Sequence, residues 1–91
     1  MSDLTKEQKE IFCITQEECA EVTQAISKIF RFGMGGVYAS RTNIERLEEE
    51  TGDLLAMIDI MTDKGLVNRD NINVALKAKK EKLKTWSSIQ L

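Results

Sequence analysis

The chain has 91 residues, with 13 lysines and arginines against 15 aspartates and glutamates and a formal charge of −2. That is the size of one small domain, and it lacks the basic excess of a nucleic-acid binder. At 42% hydrophobic and 31% charged residues the composition is globular, while the absence of histidine removes Ser-His-Asp and Cys-His catalysis, zinc-finger sites and the Glu-x-x-His signature of di-iron bundles.

The opening Met1-Ser-Asp-Leu-Thr-Lys6 has no basic flank leading into an apolar run, so no secretory leader is expected. No apolar stretch approaches the roughly 18–20 residues of a membrane span. The expectation is a single domain over residues 1–91, cytoplasmic, with neither a membrane nor a nucleic acid as partner. Cys13 and Cys19 face away from each other on a helix, and two buried thiols in a reducing compartment are expected.

No proline interrupts the helical periodicity. Thr5-Lys-Glu-Gln8 has the pattern of a capping box, and Ile11, Ile14, Val22, Ala25, Ile26 and Ile29 recur at helical spacing, which predicts a first helix over about residues 6–31. Phe32-Gly-Met-Gly-Gly-Val-Tyr-Ala-Ser40, with three glycines, predicts a mobile connecting loop. Thr42-Asn-Ile-Glu45 is a second capping box, opening a helix that runs to Lys64 with Gly65 as its stop. Asn68 or Asp70 caps a third helix that reaches about Trp86 or Ser88. The fold class expected is all-α: a helical hairpin plus a C-terminal helix. In Leu54-Leu-Ala-Met-Ile-Asp-Ile-Met61 only Asp59 is polar, so this stretch must be covered on more than one side. Two companion helices are too few, and an obligate homo-oligomeric helix bundle, dimer or tetramer, is expected. Phe12, Phe30 and Trp86 belong to its core or subunit interface.

Certain acids fall on apolar faces. About Val22 as the centre of the first helix, at about 100° per residue, Glu18 lands among the isoleucines and Glu21 at the edge of the arc. About Leu54, Glu50 falls between Met57 and Met61, and Asp53 beside Ile60. Glu18-x-x-Glu21 and Glu50-x-x-Asp53 thus each set two inward carboxylates one turn apart. Burying unpaired carboxylates costs several kcal/mol each, on the order known for buried ions, and four would repel one another. Cations must offset them: Lys28, Lys79 or a divalent metal. Carboxylate-only ligation selects a hard ion, Mg²⁺ or Mn²⁺, with room left for water and phosphate. Gly52 would admit a closely approaching backbone or ligand. The competing arrangement is a solvated acidic face with pairs such as Arg46 with Glu50.

Glu17-Glu18-Cys-Ala-Glu21, followed by Glu49-Glu50-Thr-Gly-Asp53, resembles the paired motif of the MazG-like all-α nucleoside triphosphate pyrophosphohydrolases. Ala25 to Gly33, Asn43 to Glu50, Gly52 to Met57 and Lys79 to Leu83 also look like the short, single-domain, phage-type members, so the resemblance covers most of residues 11–87. It implies Mg²⁺-dependent hydrolysis of a (deoxy)nucleoside triphosphate to the monophosphate and pyrophosphate, with a role in nucleotide-pool house-cleaning. It makes Glu18, Glu21, Glu50 and Asp53 the metal ligands. Glu17 is then a candidate base for the attacking water. Lys28, Arg31, Lys79, Lys80 and Lys82 are candidates for the phosphates, Lys28 and Lys79 also offsetting charge during the reaction. Tyr38 or Phe32 is a candidate to stack on a base, and Asn43 to bond a base edge. Lys77 and Lys84 instead complement the end of the third helix. Residues 76–91 carry +4 and residues 1–75 carry −6, a polarity suited to an acidic site roofed by a basic helix. The alternatives are a diphosphohydrolase acting on phosphoribosyl-ATP or a deoxyuridine nucleotide, and a non-catalytic helical interaction module.

Overall fold

Thr5 starts the first helix with a capping box. Its hydroxyl accepts the Gln8 N–H at 3.1 Å while Gln8 Oε1 accepts the Thr5 N–H at 2.9 Å, satisfying donors that the first turn would leave unpaired. In the computed structural model, which describes residues 3–91, helix α1 runs over Lys6–Phe32. Met1 and Ser2, where the expectation about a leader begins, lie outside the described residues. Gly33, at φ +83°, ends α1 and donates its N–H to Ile29 O at 2.8 Å.

The expected mobile loop is a hydrogen-bonded hairpin. Strands β1 (Val37–Tyr38) and β2 (Arg41–Thr42) pair antiparallel, Val37 opposite Thr42 and Tyr38 opposite Arg41. The two-residue turn is Ala39-Ser40, both at positive φ (51° and 69°), the backbone that a tight I′ hairpin turn requires. Asn43 N donates to Gly36 O at 2.9 Å and Ile44 N to Met34 O at 3.1 Å, tying the loop to the next helix.

Helix α2 spans Asn43–Asp63. The second capping box forms as its sequence predicts, Glu45 N donating to Thr42 Oγ1 at 3.1 Å and Thr42 N to Glu45 Oε1 at 2.9 Å. At the other end Gly65 has φ +72°, Leu66 N donates to Met61 O and Gly65 N to Thr62 O, the two bonds of a Schellman stop. Asn68, rather than Asp70, caps helix α3 (Arg69–Trp86) by accepting the Asn71 N–H at 3.0 Å. Ser87 ends it, its N–H and hydroxyl both donating to Leu83 O. The architecture is all-helical apart from the small hairpin.

The chain divides into two compact units, Met1–Ile60 and Met61–Leu91, with the boundary inside α2. In the first unit the start of α2 is bonded back to the loop that follows α1, Asn43 N to Gly36 O and Ile44 N to Met34 O, and the middles of the two helices bring Glu18 near Glu50 and Asp53. Among the described residues its buried apolar side chains are Ile11, Ala25 and Met57, and none of the large ones is fully enclosed. In the second unit Leu66, Val67, Ile72 and Leu83 are half-buried, while every residue from 73 to 82 is exposed.

Several side chains expected inside are outside. Cys13 and Cys19 are both exposed; Cys13 stands opposite Val22 on the helix, so its face overrides the tendency of cysteine toward burial. Phe30 and Trp86 are 87% and 83% exposed and Phe12 is also exposed, so none is core within one chain. Nothing lies within 4 Å of where a Cβ on Gly52 would stand, so no backbone of this chain uses the space it leaves.

Candidate metal centre

The middle of α1 and the middle of α2 bring three acids together. Glu18, Glu50 and Asp53 can each present one carboxylate oxygen such that all three lie within 4.8 Å of one another. Glu18 and Glu50 are half-buried and Asp53 is exposed. Their placement follows from periodicity. Glu18 sits on the apolar arc of α1, and Glu50 and Asp53 are three residues apart on the facing side of α2.

Partial burial and then the charges of Asp53, Glu21 and Glu17 hold the Glu18 carboxyl above its ordinary pKa. Glu50 is raised as well, first by partial burial and then by Glu21, Asp53, Glu18 and Glu49. Every charge acting on these two groups is another carboxylate. Glu21, the fourth acid of the paired motif, is exposed and stands outside the tight triad, but its charge acts on both Glu18 and Glu50.

The acids around the cluster are engaged differently. Glu49 pairs with Arg41. Glu45 is lowered by its hydrogen bonds to Thr42. Arg46 does not pair with Glu50; it donates Nη2–H to Tyr38 O at 2.9 Å and stacks over the Tyr38 ring at 5.4 Å. The solvated-face alternative therefore holds for Glu45 and Glu49, and fails for Glu50.

The other candidate residues separate into groups. Glu17 is exposed and accepts from Cys13 Sγ at 3.7 Å. Lys28 lines a recess of about 600 Å³ beneath the hairpin, together with Phe32, Val37, Tyr38 and Arg46. Arg31 sits over the Phe32 ring at 5.0 Å. Asn43 is buried and donates an amide N–H to Gly33 O at 2.9 Å; the expectation that it bonds a base edge must be corrected to a structural tie for that donor. Lys79, Lys80 and Lys82 are exposed on α3, in the second unit. Lys84 pairs with Glu81 at 2.9 Å, in keeping with a role at the helix end. Sequence spacing does not assign Arg46 to this recess, because its position there depends on a hairpin that periodicity does not reveal.

The donor set is oxygen-only, mutually repelling and confined to one small volume, which fits a hard divalent cation. Among the described residues, no helix is long and apolar enough to cross a membrane. The chain matches no protein-family model, no curated protein and no solved structure.

Proposed function

We propose that the protein hydrolyses (deoxy)nucleoside triphosphates to the monophosphate and pyrophosphate at the Glu18–Glu50–Asp53 cluster, with Mg²⁺, or Mn²⁺ in its place. One observation carries this reading: three carboxylates from two helices converge where every charge shifting Glu18 and Glu50 is another acid. A fold retains such repulsion at a cost, and a divalent ion turns it into binding energy. The paired motif and its flanking matches support the choice of reaction.

Glu18, Glu50 and Asp53 would hold the ion, with Glu21 adding negative charge beside them. When bound, Mg²⁺ supplies Lewis-acid polarisation of phosphate oxygens and lowers the pKa of a coordinated water. Glu17, next to Glu18 and open to solvent, is the candidate acceptor for the attacking water's proton. Arg31, toward the end of α1, is the first unit's candidate for the phosphates, while Lys28 lines the recess by the hairpin. Homo-oligomerisation belongs to the same proposal, since a single chain leaves its core thin. The cytoplasm, with its supply of nucleotides and Mg²⁺, is the compartment this chemistry calls for.

A panel of NTPs and dNTPs with Mg²⁺, scored for products, tests the reaction. Monophosphate and pyrophosphate are expected. Glu50→Gln and Asp53→Asn should each lower turnover by about two to three orders of magnitude, the scale of losing one electrostatic partner of a reacting group, with circular dichroism unchanged. Release of single phosphate, or full activity in both variants, rejects the mechanism. The exposed apolar side chains favour a second reading, a non-catalytic interaction module, which predicts no turnover on any nucleotide.

A further inference from the structure

The recess beneath the hairpin has a lining that selects its ligand. Phe32, Val37 and Tyr38 give it apolar and aromatic walls, and Lys28 and Arg46 bring two positive charges. None of the described residues lining it is acidic. Its volume, about 600 Å³, lies within the range of small-molecule sites. Arg46 precedes Glu50 by one helical turn, about 6 Å along α2 at 1.5 Å per residue. A nucleotide with its phosphates at the acidic cluster thus has its base end within reach of the recess.

The hydrogen-bonding balance of that lining is lopsided. Lysine and arginine side chains donate and never accept. Arg46 uses one N–H on Tyr38 O, and its Nε–H is buried without a partner. Asn43 has committed an amide N–H to Gly33 O, leaving its Oδ1 and the Tyr38 hydroxyl as the side-chain acceptors. Hydrogen bonds from charged donors are roughly twice as strong as neutral ones, so the two cations outweigh those acceptors. A base edge meets them well with carbonyl oxygens and poorly with an exocyclic amine, whose hydrogens would face positive charge.

We propose that this recess receives the base of a nucleotide and favours keto bases (guanine, hypoxanthine, uracil, thymine) over the amino bases adenine and cytosine, with Arg46 and Lys28 as the specificity-determining residues. The ligand class rests on the nucleotide reading above; the preference rests on the lining.

Neutral nucleosides isolate the base from the phosphates. With the full chain in EDTA, NMR titrations compare inosine with adenosine and uridine with cytidine, pairs that differ chiefly in a carbonyl against an amine. Inosine and uridine should bind on the order of tenfold more tightly, the discrimination that a good arginine contact to a base provides, with shifts at the amides of Lys28, Val37 and Arg46. Arg46→Met and Lys28→Met should each bring the ratios near one. Lys28 is exposed on α1 and holds no structural bond, so that variant remains informative if Arg46→Met loosens the hairpin. Equal or tighter binding of adenosine and cytidine, displacement of inosine by ribose 5-phosphate at matched concentration, or no nucleoside shifts at these amides overturns the proposal. The measurement needs neither metal nor turnover. A keto preference without hydrolysis sinks only the catalytic reading, and hydrolysis without a keto preference sinks only this one.

Discussion

Glu18 and Glu50 keep their protons to higher pH than ordinary carboxylates, because partial burial and neighbouring acids disfavour their charged forms. On unfolding they return toward the ordinary value, about 4.5. The stability linked to their raised values is fully present below that pH and is lost as pH rises through the folded values. Glu45 has the opposite sign: its lowered pKa gives stability that is present above the ordinary value and lost as pH falls through the folded one. The metal-free protein is therefore expected to lose melting temperature as pH rises from about 4.5 toward neutrality, and Glu50→Gln to flatten that slope. Thermal unfolding in EDTA across this range measures both. Millimolar Mg²⁺ at pH 7 should raise the melting temperature of the native protein and raise that of Glu50→Gln much less, since only binding to the folded state stabilises it.

The ends of the helices were readable because capping is local chemistry: Thr5 with Gln8, Thr42 with Glu45 and Asn68 with Asn71 each close within three residues. The hairpin was not readable. Its turn uses Ala39-Ser40 at positive φ, where Asn-Gly is the usual signal, and its pairing is held by bonds from Asn43 and Ile44 back into the loop. Two predictions belong to this element. The double substitution Ala39→Asn, Ser40→Gly should stabilise the protein by about 1 kcal/mol, relieving the left-handed strain of non-glycine residues. Gly36→Ala should destabilise it by about 1–3 kcal/mol, because the added Cβ would stand 2.7 Å from Phe32 O and 2.9 Å from Asn43 Nδ2. Urea unfolding followed by circular dichroism measures each, and a neutral Gly36→Ala would show that the loop is not packed this tightly.

Across the whole molecule the buried apolar set is thin, while Phe30, Leu55, Val74 and Trp86 are each more than half exposed. Leu55 belongs to the stretch of α2 whose apolar character runs almost all round, and a single chain leaves it 55% exposed. Self-association is the expected remedy. Sedimentation should show a homo-oligomer with a melting temperature that rises with protein concentration, and Leu55→Glu should shift the population toward monomer and lower that temperature. A monomeric native protein at high concentration would leave Leu55 an ordinary exposed residue.

Helix positions, their caps and the half-buried faces that carry Glu18 and Glu50 were set by the sequence alone, because each depends on local spacing along one helix, whereas Asp53, expected inward, is exposed. What only the tertiary structure decided is how those spacings combine. It separated Glu21 from the tight triad, gave Arg46 to Tyr38 rather than to Glu50, and turned Asn43 into a tie for the loop. Each of these depends on the distance between groups on different segments, and no pattern within a single segment encodes that distance.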